Sequence, residues 1–386
     1  MAAVKVNRKA AERLASGHPW IFASDVVDRG EAQPGDAVQV VDPRGRPLGI
    51  AHYSSTSQIT LRLLSDRVEP FDAAFLYKRL GKALTFREQF VRNSTAYRLV
   101  HGEADLLPGL VVDRYGEYLV IQTLSQGMDR AKPEILTALQ ELLKPAGIVA
   151  RNDVAVRKHE ALPLETAVVQ GTVPEHVQID MNGFVWEANL MEGQKTGVFL
   201  DQRENYAAAA GYASGRALDC FTCTGGFAIH MAGRCESVEA VDSSATALAT
   251  AQRNAALNRI GNVSFRNADV FNLLSSYSGA RQRFQTVVLD PPAFTKSRTN
   301  LQDAGRGYKE INLRALRLLE PGGILITCSC SHHFSEAMLL ETVAAAALDA
   351  GRTLRVLERR TQSQDHPILI TVPETHYLKC LIFQAV

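Results

Sequence analysis

No stretch of the 386-residue sequence approaches about 18 uninterrupted apolar residues, so nothing in it reads as a membrane span. Charge of one sign is lacking too. Lys+Arg total 42 against 41 Asp+Glu, a formal net charge of +1. That balance excludes a chain gripping phosphate over its whole surface, while a local basic patch remains compatible with it. Cysteine is scarce. The six are Cys220, Cys223, Cys235, Cys328, Cys330 and Cys380, all in the second half and without the spacing of a secreted disulfide framework. A reducing cytoplasm is the expected location. The first 20 residues carry Lys5, Arg8, Lys9, Glu12 and Arg13 and no apolar block, so no signal peptide is expected. The dinucleotide fingerprint G-x-G-x-x-G is missing, which disfavours a nicotinamide-dependent oxidoreductase. What is present is ordinary globular usage, 46% hydrophobic and 22% charged, which argues against disorder and collagen-like structure. The length predicts two or three domains.

Three regions differ in pattern. Residues 1–70 hold short strands at 37–41, 48–51 and 58–64, cut by the turns Gln33-Pro-Gly-Asp36 and Asp42-Pro-Arg-Gly45. With a helix near 8–16 they predict a small β-barrel. Residues 71–185 predict a small α+β domain. It opens with a helix over 71–94 whose apolar side is Phe71, Phe75, Leu76, Leu80, Leu84 and Phe90. Its other side carries Lys78, Arg79, Lys82, Arg87 and Arg92, either a solvated face or an RNA-facing patch. A hairpin follows around Arg114-Tyr-Gly-Glu117, then a helix over 133–143 and a strand over 147–150. Within residues 186–386, apolar runs at 217–221, 238–241, 263–265, 286–289 and 323–327 alternate with helical segments such as 244–258 and 308–319. This is the pattern of a doubly wound α/β sheet. Residues 354–358 and 377–383 are expected as late edge strands.

Ligands of such sheets bind beyond the carboxyl ends of the strands. The first strand runs into Asp219-Cys-Phe-Thr-Cys-Thr-Gly225-Gly226, a glycine turn suited to a ligand without phosphate, such as S-adenosylmethionine (SAM). Asp242 ends the second strand, placed for two ribose hydroxyls. Asp269 and Val270 follow the third, placed for the adenine amine and face. The fourth ends in Asp290-Pro-Pro-Ala-Phe294, a stiff corner that aims Asp290 and Phe294. One such acid alone reads as a helix cap. Four in register, each just past a parallel strand, point to a ligand. The fifth strand runs into Thr327-Cys-Ser-Cys-Ser331, near a helix start at about Ser335 that favours thiolate. A single cysteine there reads as core; one lying just beyond the strand is placed for nucleophilic work. Cys220-x-x-Cys223 lacks a second ligand pair, so no metal is expected.

These motifs resemble class I SAM-dependent RNA methyltransferases, and most closely the RlmI-type 23S rRNA (cytosine-C5) methyltransferases. The likeness extends to Met191-Glu-Gly-Gln-Lys195-Thr196-Gly197-Val-Phe-Leu-Asp201-Gln202-Arg203, to Gly307-Tyr-Lys-Glu-Ile-Asn312 and to His366-Pro367. The segments Gly17-His-Pro-Trp20 and Gly35-Asp36 resemble a PUA RNA-binding domain. The resemblance covers essentially the whole chain. It implies a Rossmann-like methyltransferase domain over 186–386, with SAM held by Lys195, Thr196, Asp201, Arg203, Asp219, Phe221, Gly225, Asp242, Asp269, Val270 and Asp290. It implies Cys330 as nucleophile, with Cys328 in reserve, and Asp290 on the N3/N4 edge of the base. It implies 23S rRNA as partner and suggests a homodimer. One departure stands out: the Pro-Cys that many RNA cytosine-C5 methyltransferases carry after the fourth strand is here Pro292-Ala293. Two other readings compete. An rRNA guanine-N methyltransferase on this scaffold would leave Cys330 idle, and a non-catalytic RNA-binding protein would not bind SAM.

Overall fold

The computed structural model describes residues 1–193, 198–294 and 300–386. The chain forms two compact units. The first holds Met1–Asp180, Ala188–Val198 and Gln364–Thr375; the second holds Met181–Glu187, Phe199–Ser363 and His376–Val386. Neither unit is one continuous stretch of chain.

The first unit begins with a six-stranded sheet. Its spatial order is Trp20–Phe22, Ile59–Ser65, Pro47–Tyr53, Ala37–Val41, Ala3–Val6, Val26–Asp28. The helix Arg8–Ala15 starts where the Asn7 side chain accepts from Ala10 N at 2.8 Å. Alternate residues Val4, Val6, Val38 and Val40 point inward, as a half-buried pleat requires. A five-stranded sheet follows, built from Ala96–His101, Leu110–Tyr115, Tyr118–Thr123, Gly147–Arg151 and Thr166–Gly171. The helices Ala73–Phe90 and Lys132–Leu143 supply apolar side chains to the same core.

The helix Ala73–Phe90 corrects one expectation. Phe75, Leu76 and Leu80 are buried as their spacing predicts, but Arg87 does not join the basic face. Its guanidinium is fully buried, paired with both carboxylate oxygens of Asp105, and it donates to the carbonyls of Arg98 and Asp365 at 2.8 Å. A buried arginine is tolerated because its donors are satisfied. Lys78, Lys82 and Arg92 remain exposed.

The second unit is a seven-stranded sheet. Its strands are β1 (Gly215–Cys220), β2 (Cys235–Asp242), β3 (Val263–Asn267), β4 (Phe284–Leu289), β5 (Leu319–Ser329), β6 (Leu354–Arg360) and β7 (Lys379–Ala385). The helices are α1 (Arg203–Tyr212), α2 (Gly226–Ala232), α3 (Ala245–Leu257), α4 (Val270–Gly279), α5 (Leu301–Leu318) and α6 (Glu336–Asp349). The spatial order is β3-β2-β1-β4-β5-β7-β6. The first five strands pair in parallel, while β7 runs antiparallel between β5 and β6. Of the two late strands only β6 therefore lies at an edge, whereas the sequence pattern placed both there. The full burial of Leu381 and Ile382 is what an interior strand requires. Strand order reverses between β1 and β4, and the crevice opens at such a switch point.

Candidate active site at the carboxyl ends of the sheet

The turn after β1 carries three left-handed residues, Phe221 (φ 64°), Cys223 (φ 49°) and Gly225 (φ 92°). Two non-glycines in this region mark stored backbone strain, which clusters at binding sites. Gly226 opens α2, and a Cβ there would meet the Tyr206 ring at 2.3 Å. The Phe221 ring packs against the sheet core. The turn also aims backbone donors: Cys223 N donates to Asp242 Oδ2 at 2.9 Å.

Asp219 is fully buried. Its Oδ2 accepts from Thr222 Oγ1 at 2.6 Å and Ala228 N at 2.9 Å. Its Oδ1 is buried with no hydrogen-bond partner among the described residues. Burial pushes its pKa up to about 7 against those two hydrogen bonds, and the charges of Asp290 and Asp242 push the same way. Asp242 is half-buried, and its Oδ1 accepts from Ser244 N at 2.8 Å. Each of its oxygens thus holds one backbone donor and keeps a lone pair for another. Asp290 lies past β4, with Gln202 Nε2 donating to its Oδ2 at 3.0 Å.

The remaining expected residues fall in varied places. Asp269 is exposed and caps α4, its Oδ1 accepting from Asn272 N at 2.9 Å. Val270 is buried in the core with Leu273 and Leu274. Asp201 is buried, and its Oδ2 accepts from Tyr377 OH at 2.7 Å. Arg203 is buried at the start of α1, 3.4 Å from Glu204 Oε1. Lys195 and Thr196 lie outside the described residues. Phe294 leans on Tyr308, with ring centroids 4.6 Å apart, and a Cβ at Gly307 would meet it at 3.1 Å.

The two cysteines of β5 separate clearly. Cys328 is inside the sheet, fully buried opposite Cys380, and burial pushes its thiol well above the ordinary range. Cys330 has left the strand and is half-buried. Its neighbours Ser329 and Ser331 are buried, and the Tyr308 hydroxyl bridges their side chains at 2.8 and 3.1 Å. Ser335 caps α6 where the sequence predicts a helix start, donated to by Met338 N at 3.2 Å.

Sequence reasoning gave no role to Gln202, Tyr206, Tyr308 or Lys379. Each acts through packing or hydrogen bonds to residues distant in the chain, for which a single sequence holds no periodic signal.

Asp219, Asp242 and Asp290 thus converge where β1, β2 and β4 end. Such a concentration of acid suits a cation. SAM carries an ammonium and a sulfonium, and Asp219 Oδ1, without a partner among the described residues, could accept from an N–H donor. The described residues hold no group of His, Cys, Asp or Glu arranged for a metal.

The strand order and this carboxylate-lined glycine turn define a class I methyltransferase. A family profile described as S-adenosylmethionine-dependent methyltransferase matches residues 97–384, and one described as PUA-like domain matches residues 4–66. Curated proteins named ribosomal RNA large subunit methyltransferase I are similar over nearly the full length. That of Tolumonas auensis is 42% identical, covering 99% of each chain, and that of Aeromonas salmonicida is 43% identical, covering 95% of each. The chain belongs to this family of SAM-dependent methyltransferases. Two solved structures share its fold over 100% of both chains. One is a SAM-dependent methyltransferase from Streptococcus mutans, with a TM-score of 0.85 at 20% identity. The other is a methyltransferase complexed with SAH, with a TM-score of 0.86 at 19% identity.

Proposed function

We propose that the protein methylates C5 of a cytosine in 23S rRNA, in the cytoplasm, with Cys330 as nucleophile. The observation that carries this reading is the contrast between the cysteines: Cys328 is locked in the sheet, while Cys330 lies just past the end of β5, half-buried, between two serines held by Tyr308. The C5 carbon of cytosine is too weakly nucleophilic to take a methyl group directly. The Cys330 thiolate adds to C6, and the C5–C6 electron pair moves to make C5 nucleophilic. That carbon takes the methyl group from SAM, the sulfonium electron pair staying on the departing thioether. A base then removes the C5 proton, the double bond re-forms, and the thiolate leaves. Asp290 holds the N3/N4 edge of the base. The nucleotide must be unstacked to reach the crevice, so an opened or single-stranded site is the substrate.

The test is incubation with labelled SAM and 23S rRNA lacking its modifications, followed by nucleoside analysis. Labelled 5-methylcytidine is expected. Labelled methylguanosine would instead establish the guanine-N reading, in which Cys330 has no work.

A further inference from the structure

Lys379 opens β7, in register with Ser329 at the end of β5. It is 3% exposed. Its ammonium donates to the carbonyls of Ser331 at 2.7 Å and Tyr377 at 2.9 Å. Among the described residues no carboxylate forms an ion pair with it. A buried ammonium with two carbonyl partners among the described residues is costly, because each lost hydration contact needs a replacement. The carbonyl of Ser331 that it holds belongs to the residue after Cys330.

We propose that Lys379 is a positioning residue for the reaction: its ammonium holds the turn around Cys330 and keeps the Cys330 sulfur anionic. This rests on the reading of Cys330 as the nucleophile. The thiol proton goes to solvent, and the same positive charge eases departure of the thiolate when the product is released. Burial pulls the lysine down to about 8 even against the charges of Cys330 and Glu336, which push it up, so it is mostly a cation at neutral pH. The other titratable groups around the turn do not replace it. Tyr308 of α5 is held neutral by burial. Glu336 of α6 is engaged by Arg359 of β6, and Asp290 beyond β4 by Gln202. Both acids oppose a thiolate. His332 lies with its ring 5.4 Å from that of Tyr377.

The experiment is alkylation of the full-length protein by iodoacetamide across pH, without RNA, with the modified sulfur located by fragmentation spectra. In the wild type, Cys330 should react with a midpoint below the ordinary thiol value of about 8.5. Lys379→Met should raise that midpoint by about one pH unit. At pH 7 the rate should fall only about threefold, because a more basic thiolate is also more nucleophilic. Lys379→Arg should keep most of the wild-type profile. An unchanged midpoint in folded Lys379→Met overturns the proposal. Should that variant not fold, a wild-type midpoint at or above about 8.5 overturns it equally. Failure of the nucleophile reading shows separately, as absence of a covalent adduct with 5-fluorocytidine RNA whatever the alkylation profile.

Discussion

At the scale of single residues, the acids of the crevice carry the most direct predictions. Asp242→Ala should weaken SAM binding by about 1.5–3 kcal/mol, the range for a charge-assisted hydrogen bond, with calorimetric titration as the readout. Unchanged affinity would remove Asp242 from the site. Asp219 predicts a proton linkage. Its pKa of about 7 in the folded protein lies above the ordinary carboxyl value, so below neutral pH it is largely protonated. A bound ammonium favours the carboxylate and lowers that pKa, so SAM binding at pH 6.5 should release protons. Calorimetry in buffers of differing ionisation heat measures the release, and Asp219→Asn should abolish it. The same raised pKa sets a stability slope. Between the ordinary carboxyl value and about 7 the unfolded state binds fewer protons than the folded one, so this group's contribution falls as pH rises. Asp242, Asp269 and Asp290 were legible in the sequence because each sits at or just past the end of an apolar run; Asp219, expected past its strand, lies inside β1 and was legible only through the glycine turn that follows. Their division of labour was not, since Asp269 shows itself a helix cap only through its bond to Asn272 N.

At the scale of elements, the turn from β1 into α2 is the most constrained. Gly226→Ala would drive a Cβ into the Tyr206 ring, and overpacking of this kind costs about 1–3 kcal/mol. Thermal unfolding should show a lowered midpoint, and the same substitution in a Tyr206→Leu background should cost less. Equal losses in both backgrounds would mean the ring is not what excludes the side chain. The parallel strands were readable because buried strands form continuous apolar runs bounded by turns. The place of β7 was not, because adjacency in a sheet is a long-range pairing and nothing local in 379–385 distinguishes an interior strand from an edge. Helix α5 begins at Leu301, seven residues before the predicted start at 308, because Gln302, Asp303, Gly305 and Arg306 hide the apolar periodicity. Arg87 was assigned to a basic face for a related reason: its spacing fits that face, and only the folded chain supplies Asp105 beside it.

At the scale of the whole molecule, the question is how the catalytic unit obtains its RNA. Within the first unit, a groove of about 470 Å³ is lined by Arg67, Lys78, Arg79 and Lys82, together with the acids Asp66, Glu69 and Asp72. Truncating residues 1–70 would test the role of this unit poorly. Ile50 and Leu64 share a core with Phe75, Leu80 and Leu110, and their removal would open it. Substitution of the exposed lysines is cleaner. If they contact phosphate, Lys78→Ala with Lys82→Ala should weaken RNA binding and lower its salt slope by up to about 1.4, while SAM affinity is unchanged. An unaltered slope would make the helix a solvated face. The reaction itself is tested most directly by trapping. A fluorine at C5 cannot leave as a proton, so 23S rRNA bearing 5-fluorocytidine should stall the enzyme after methyl transfer, joined through a sulfur–carbon bond. Denaturing electrophoresis should show a protein–RNA adduct with the wild type and with Cys328→Ala, and none with Cys330→Ala. An adduct that persists in Cys330→Ala, or the absence of any adduct from a protein that still methylates the RNA, would contradict the account.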